Sequence, residues 1–318
     1  MTDAGYRGLL VIGDPHLEGR VPGFRKDEYP QVILEKFAWC LDYAKQNALL
    51  PAVLGDLFHL PRDNPTWMLG RLIELLSPQE VIGLYGNHDT NDPELSDHDS
   101  LSLLIKAGCL TLVDRSLPWR GCLNGRTVII GGSSYRHPIP DAFDPDGEEV
   151  LEPLVFWLAH HDIGVPGYEE QGRIKPRELA GVDAVINGHI HRRLDPVQAG
   201  RTLWLTPGNI SRRTRSEATE THVPAALRID VDKEGWRHEH VTIPHRAFED
   251  VFHETVIEEQ IDTRESAFVT GLAQLQAQRT QTGAGLMAFL KQNVSQFDDE
   301  VAAEILTLAR EVADDDDT

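Results

Sequence analysis

The chain has 318 residues, 41% hydrophobic and 25% charged, with 26 glycines and 19 prolines, which is room for one large domain or two smaller ones and excludes collagen-like and wholly disordered classes. No apolar run reaches the roughly 18–20 residues that span a bilayer and the start lacks a secretion signal's pattern, so a cytoplasmic protein is expected; the three cysteines, Cys40, Cys109 and Cys122, form no CxxC pair and imply neither a disulfide framework nor a thiolate metal site. The formal net charge of −21 argues against a self-sufficient grip on a phosphate backbone without excluding nucleic acid.

From Arg7 onward, short β-branched apolar runs alternate with helical patterns: GLLVIG, then EYPQVILEKFAWCLDYAKQ, then AVLGD, then PTWMLGRLIELL, then EVIGLYG. That alternation predicts βαβ units and a largely parallel sheet. The later runs RTVIIGG, PLVFWLA, DAVING, TLWLTPG, AALRIDV and WRHEHVTI follow closely with few helices between them, and a second, more antiparallel sheet stacked on the first would accommodate them. The expected catalytic domain is therefore 1–245. Residues 246–318 are expected to form a helical C-terminal region, because Phe268, Leu272 and Leu275, then Leu286, Leu290, Val294 and Phe297, then Val301, Ile305, Leu308 and Val312 recur at helical spacing. This region carries five basic against sixteen acidic residues from His245 on and ends in the acidic run of Asp314, Asp315, Asp316 and Asp317.

The chemistry is concentrated where strands end. The first strand runs into Gly13, Asp14, Pro15 and His16; the next into Gly55, Asp56, Leu57, Phe58 and His59; another into Gly86, Asn87, His88 and Asp89. PLVFWLA leads to His160 and His161, and DAVIN to Gly188, His189, Ile190 and His191. Any one of these fragments is a common turn or a buried imidazole. Five in order, each directly after an apolar strand, suit a sheet whose ligand crevice lies beyond the carboxyl ends of its strands.

The residue types are those of two divalent cations. Asp14, His16 and His191 can hold one; Asn87, His160 and His189 the other; Asp56, with two carboxylate oxygens, can bridge them. Imidazole and oxygen without thiolate suit Mn²⁺, Fe or Zn²⁺ better than Ca²⁺ or Cu⁺. Two such ions about 3.5–4 Å apart clamp a phosphoryl group and lower the pKa of a water between them. His88 is left to protonate the leaving oxygen, with Asp89 expected to orient its ring.

The set DPH at 14–16, GD at 55–56, GNHD at 86–89, His160 and GHIH at 188–191 resembles the calcineurin-like metallophosphoesterase superfamily over about residues 7–245. The resemblance implies an α/β fold, a two-layer β-sandwich flanked by helices, with a dinuclear centre that hydrolyses phosphoesters; it also selects His160 over His161 as ligand. More narrowly, GDLFH at 55–59 resembles the DNA repair nucleases of the SbcD type, which implies that His59 positions the scissile phosphate of a DNA substrate and that the C-terminal helices dock on an SMC-like ATPase partner. This chain departs from those nucleases in having only about 70 residues after the sandwich.

The leading expectation is thus a two-metal DNA exo- or endonuclease with Mn²⁺, and the rival is a small-molecule phosphodiesterase or phosphomonoesterase with the same metals. A non-catalytic scaffold of the same fold is opposed by the full ligand set and His88. Two further segments are expected to line the site: the loop 162–175 as a lid or substrate edge, and Arg212 or Arg213 on the rim as a phosphate contact.

Overall fold

The computed structural model describes residues 5–144, 153–169 and 172–253. The chain divides into two units, Met1–His253 and Glu254–Thr318, and the described elements belong to the first. Its elements begin β1 (Gly8–Ile12), α1 (Tyr29–Gln46), β2 (Leu49–Val53), α2 (Thr66–Leu76), β3 (Ile82–Gly83), α3 (Ser100–Lys106) and β4 (Thr111–Leu112). They continue β5 (Trp119–Leu123), β6 (Arg126–Ser133), β7 (Leu154–Ala159), β8 (Ala184–Asn187), β9 (Leu194–Ala199), β10 (Thr202–Thr206), α4 (Glu217–Thr221), β11 (Ala225–Val231), β12 (Trp236–Thr242) and α5 (Phe248–Val251). The helices expected within 268–312, including the stripe of Val301, Ile305, Leu308 and Val312, lie outside the described residues.

Two six-stranded sheets stack face to face, in the orders β12-β11-β1-β2-β3-β4 and β5-β6-β7-β8-β10-β9. The period-two alternation of a strand explains the layering. In β1, Leu9 and Val11 face the second sheet while Leu10 and Ile12 face the helices; in β7, Phe156 and Leu158 point inward and Val155 and Trp157 outward. Because both faces of each central strand are covered, these strands read as unbroken apolar runs. α1 covers the first sheet with Ile33, Phe37, Cys40 and Leu41, one stripe of its 3.6-residue period, and Met68, Leu72 and Leu76 of α2 continue that layer. The outer face of the second sheet is covered by connecting segments instead, through Ile139, Phe143, Val165 and Leu179.

The second sheet corrects one expectation. Its centre is parallel (β6-β7, β7-β8 and β8-β10), with antiparallel pairs only at its two edges. AALRIDV and WRHEHVTI do not join it: β11 lies antiparallel beside β1 and carries β12 outside it. The two strands do pair with each other as neighbours in the chain, but the sheet they join is decided by which edge is open, and β1 offered one.

The registers aim the strand ends at a common place. Ile12 pairs with Val53 and Val53 with Gly83 in the first sheet, and Ala159 pairs with Asn187 in the second. The residues that follow β1, β2, β3, β7 and β8 therefore leave at one level along one edge of the sandwich.

Candidate metal centre

Four of the seven expected ligands stand at left-handed backbone angles: Asp14 at φ +37°, His16 at +47°, Asp56 at +47° and His189 at +69°. Such angles are uncommon for residues with a Cβ and persist only where surrounding contacts enforce them. The enforcing contacts are visible. Asp14 Oδ1 accepts the backbone N–H of His189 at 2.8 Å, and Asp56 Oδ1 accepts that of His88 at 2.8 Å. Each carboxylate so tied presents its other oxygen to the interior. Gly86 is required by the same crowding, since a Cβ there would lie 2.1 Å from Asp56 Oδ1 and 2.6 Å from His160 Cε1.

The side chains form two clusters that share Asp56. Ligand atoms of Asp14, His16, Asp56 and His191 lie within 4.8 Å of one another, as do those of Asp56, His160 and His189. His16 Nε2 is 2.9 Å from His191 Nε2, and Asn87 Oδ1 is 3.2 Å from His160 Nε2 and 2.9 Å from His189 Nδ1. Asp56 Oδ2 stands between the clusters, 3.6 Å from His16 Nε2 and 3.4 Å from His160 Nε2.

Hydrogen bonds behind the clusters set which ring nitrogen faces inward. His160 Nδ1 donates to Leu54 O at 2.8 Å, leaving Nε2 to face Asp56 and Asn87. His189 Nε2 is 2.9 Å from Asp162 Oδ1, which leaves Nδ1 facing Asn87. Both are arrangements in which an outer acceptor fixes a metal-binding imidazole. Asp162 is the first residue of the loop 162–175 expected to line the site, though no contact with His189 was expected of it; the signal was a third polar residue directly after the His160, His161 pair.

Electrostatics agree with a cation site. Burial pushes the Asp14 carboxyl above its ordinary range despite His160 nearby, and burial pushes His16 well below the ordinary histidine value despite Asp56. Burial also opposes charge on His160, but Asp56 outweighs it and lifts the imidazole to about 9, while the same contact holds Asp56 far below the usual carboxylate range. Asp14 Oδ2 is buried without a hydrogen-bond partner. A buried carboxylate oxygen left unpaired among imidazole nitrogens fits a divalent cation. The residues present fit two such ions.

Two residues, Asp89 and Arg212, take places other than those expected. Asp89 does not orient His88: fully buried, it accepts the backbone N–H groups of Leu57, Phe58 and Gly86 at 3.3, 3.0 and 2.9 Å. His88 is held by the carbonyl of His59, 2.8 Å from its Nδ1. Arg212 is not on the rim, because its guanidinium turns inward to donate to the carbonyls of His222 and Arg246. Arg213 is paired with Glu18 at 2.8 Å.

His59 stacks on His88 with ring centroids 4.9 Å apart and lies 5.6 Å from His16. A cleft of about 490 Å³ opens over Asp56, Asn87, His88, His189 and His191, with Tyr168 and Arg192 on its walls. Tyr168 belongs to the loop expected to edge the site. Arg192 was missed; it directly follows the GHIH run, is exposed, and donates to Gly167 O at 2.5 Å.

The family model of the calcineurin-like phosphoesterases matches residues 8–193, so the chain belongs to that family, whose members are metal-dependent phosphoester hydrolases. Solved structures similar to it include a hypothetical protein from Thermus thermophilus, 14% identical with a TM-score of 0.43, covering 74% of this chain and 99% of that one. Vps29 from Chaetomium thermophilum is 15% identical with a TM-score of 0.30, covering 76% and 97% of the two chains. A double mutant of Vps29 from Entamoeba histolytica is 16% identical with a TM-score of 0.28, covering 74% and 100%. No curated protein matches the sequence. Among the described residues, no helix is long and apolar enough to cross a membrane.

Proposed function

We propose that the chain is a two-metal phosphodiesterase that cleaves DNA with Mn²⁺. The supporting observation is the pair of stacked imidazoles, His59 on His88, beside the shared carboxylate of Asp56. A phosphomonoester ends at the metals. A diester carries a second substituent past them, and His59 is a group that can align it.

Asp14, His16, His191 and Asp56 would hold one cation and Asn87, His160, His189 and Asp56 the other. When bound, the two ions supply Lewis-acid stabilisation of the phosphoryl oxygens and a water of lowered pKa. His88 supplies the proton: with Nδ1–H fixed on His59 O, the imidazolium's remaining N–H, on Nε2, is the one it can give to the leaving oxygen. Asp56 Oδ1 receives the backbone N–H of His88, so the acid and the bridging carboxylate are positioned by one contact. Arg192 and Tyr168 bound the cleft in which the rest of the substrate would lie. An SMC-like ATPase engaged by the C-terminal helices belongs to the same proposal and would supply the duplex contacts that a chain of net charge −21 lacks.

The test is a parallel assay with Mn²⁺ on single-stranded DNA, duplex DNA, bis-p-nitrophenyl phosphate and p-nitrophenyl phosphate, for the native chain and His59→Ser. DNA should be cleaved, and the substitution should slow DNA cleavage at least tenfold more than hydrolysis of the small diester. Activity on p-nitrophenyl phosphate alone, or equal losses on all substrates, would make the chain a small-molecule phosphoesterase.

A further inference from the structure

A second cavity, of about 380 Å³, lies between α1 and the segment that follows β12, lined among others by Arg25, Lys36, Trp39, Arg212, Ile243 and Pro244. Lys36 is the anomaly in it. It occupies the buried arc of α1 with Ile33, Phe37 and Cys40, a position where the amphipathic pattern calls for an apolar residue, and only 9% of it is exposed. A buried lysine is ordinarily paired. Among the described residues the Lys36 ammonium has neither a hydrogen bond nor an ion pair.

Its neighbours do not compensate. Of the two carboxylates on the wall, Asp27 is bound in a two-pronged contact by Arg25, at 2.8 and 2.6 Å, and Glu35 accepts from Gln31 at 3.3 Å. Arg212, 8% exposed, spends Nε and Nη1 on the carbonyls of His222 and Arg246, which leaves Nη2 with no acceptor among the described residues. Burial pushes the Lys36 ammonium down to about 8, with the charges of Arg25 and Arg212 adding to that effect. Lys36 and Arg212 thus face one cavity with neither ammonium nor guanidinium ion-paired among the described residues, although Asp27 and Glu35 also line it, while Trp39, Ile243 and Pro244 give the same cavity apolar walls.

We propose that this cavity binds a small organic anion, a carboxylate or phosphoryl group on a flat apolar body, with Lys36 and Arg212 taking the charge and Trp39 and Pro244 the body. A local rule broken without compensation inside the protein is the mark of a site whose compensation comes from a ligand. The site is separate from the metal centre: none of the metal ligands lines it.

The probes are benzoate and phenylphosphonate, each titrated calorimetrically into the full-length protein and into Lys36→Met and Lys36→Arg. At least one anion should bind a single site that weakens tenfold or more in Lys36→Met and less than threefold in Lys36→Arg. Inhibition of bis-p-nitrophenyl phosphate hydrolysis by phenylphosphonate, which reads the metal centre, should be the same in all three proteins. Lys36→Met should unfold at an equal or higher temperature, because it removes a buried charge. Equal binding by Lys36→Met overturns the proposal, as does absence of binding to the native protein at millimolar concentration. Binding that appears only after Asp314–Asp317 are changed to asparagine would make the chain's own tail the occupant and overturn the free ligand.

Discussion

The Nδ1 of His88 lies 2.8 Å from the carbonyl oxygen of His59, so the proposed acid is oriented by main chain rather than by a carboxylate. Because His88 is not part of either cation's ligand set, His88→Gln should keep two metals per chain while lowering turnover by about 10² to 10⁴. The loss should shrink for esters of p-nitrophenol, whose leaving group needs little protonation. Metal content by elemental analysis and turnover on two leaving groups check this together.

Asp56 Oδ2 is shared between the clusters, so Asp56→Asn removes one charge from both. We expect metal content to fall by at least one ion per chain and turnover to fall below detection, with an unchanged circular dichroism spectrum. Full activity with two metals bound would refute a bridging role.

Asp89 is a test of structure rather than chemistry. Asp89→Ala leaves the buried N–H groups of Leu57, Phe58 and Gly86 without their acceptor, at a cost of about 3 kcal/mol or more if each orphaned donor is penalised by at least about 1 kcal/mol. Urea unfolding should show that loss. A variant of unchanged stability would return Asp89 to a role in orienting the acid.

Gly86→Ala separates backbone space from ligand chemistry. Its Cβ would meet Asp56 Oδ1 at 2.1 Å and Asp56 N at 2.6 Å, neither of which can yield without moving the bridging carboxylate. Metal affinity should fall at least tenfold, measured by competition with a chelating dye, although no ligand has been changed.

His222 donates to Asn209 O at 3.0 Å, and burial, reinforced by Arg212 and Lys36, pushes its imidazole down to about 4. The unfolded chain binds this proton below about 6.5. Between pH 6.5 and 4 the unfolded state therefore holds more protons, and stability falls as pH falls, by up to about 1.4 kcal/mol per pH unit from this group. His222→Gln, which keeps a donor for Asn209, should flatten the decline in denaturation midpoint between pH 7 and 5. An unaltered slope would mean that His222 takes up its proton equally readily in the folded and unfolded chain.

The sequence by itself determined where the chemistry is. Asp14, Asp56, Asn87, His160 and His189 each follow an apolar run directly, and the run and the turn after it are local properties, set by β propensity and by the polar residues that end a strand. Helices α1 and α2 were legible for the same reason, through one apolar stripe each. Only the tertiary structure decided what those residues face. Whether Asp89 turns to His88 or to the N–H groups of Leu57 and Phe58, and whether Arg212 turns to the metal cleft or to the carbonyls of His222 and Arg246, depends on backbone groups up to 34 residues away. The union of β11 with β1 rather than with the second sheet, and the meeting of His189 with Asp14 across 175 residues, depend likewise on which edges and surfaces remain open once the sheets stack. A strand's pattern specifies that it has a buried face, and the three-dimensional packing alone specifies its neighbour.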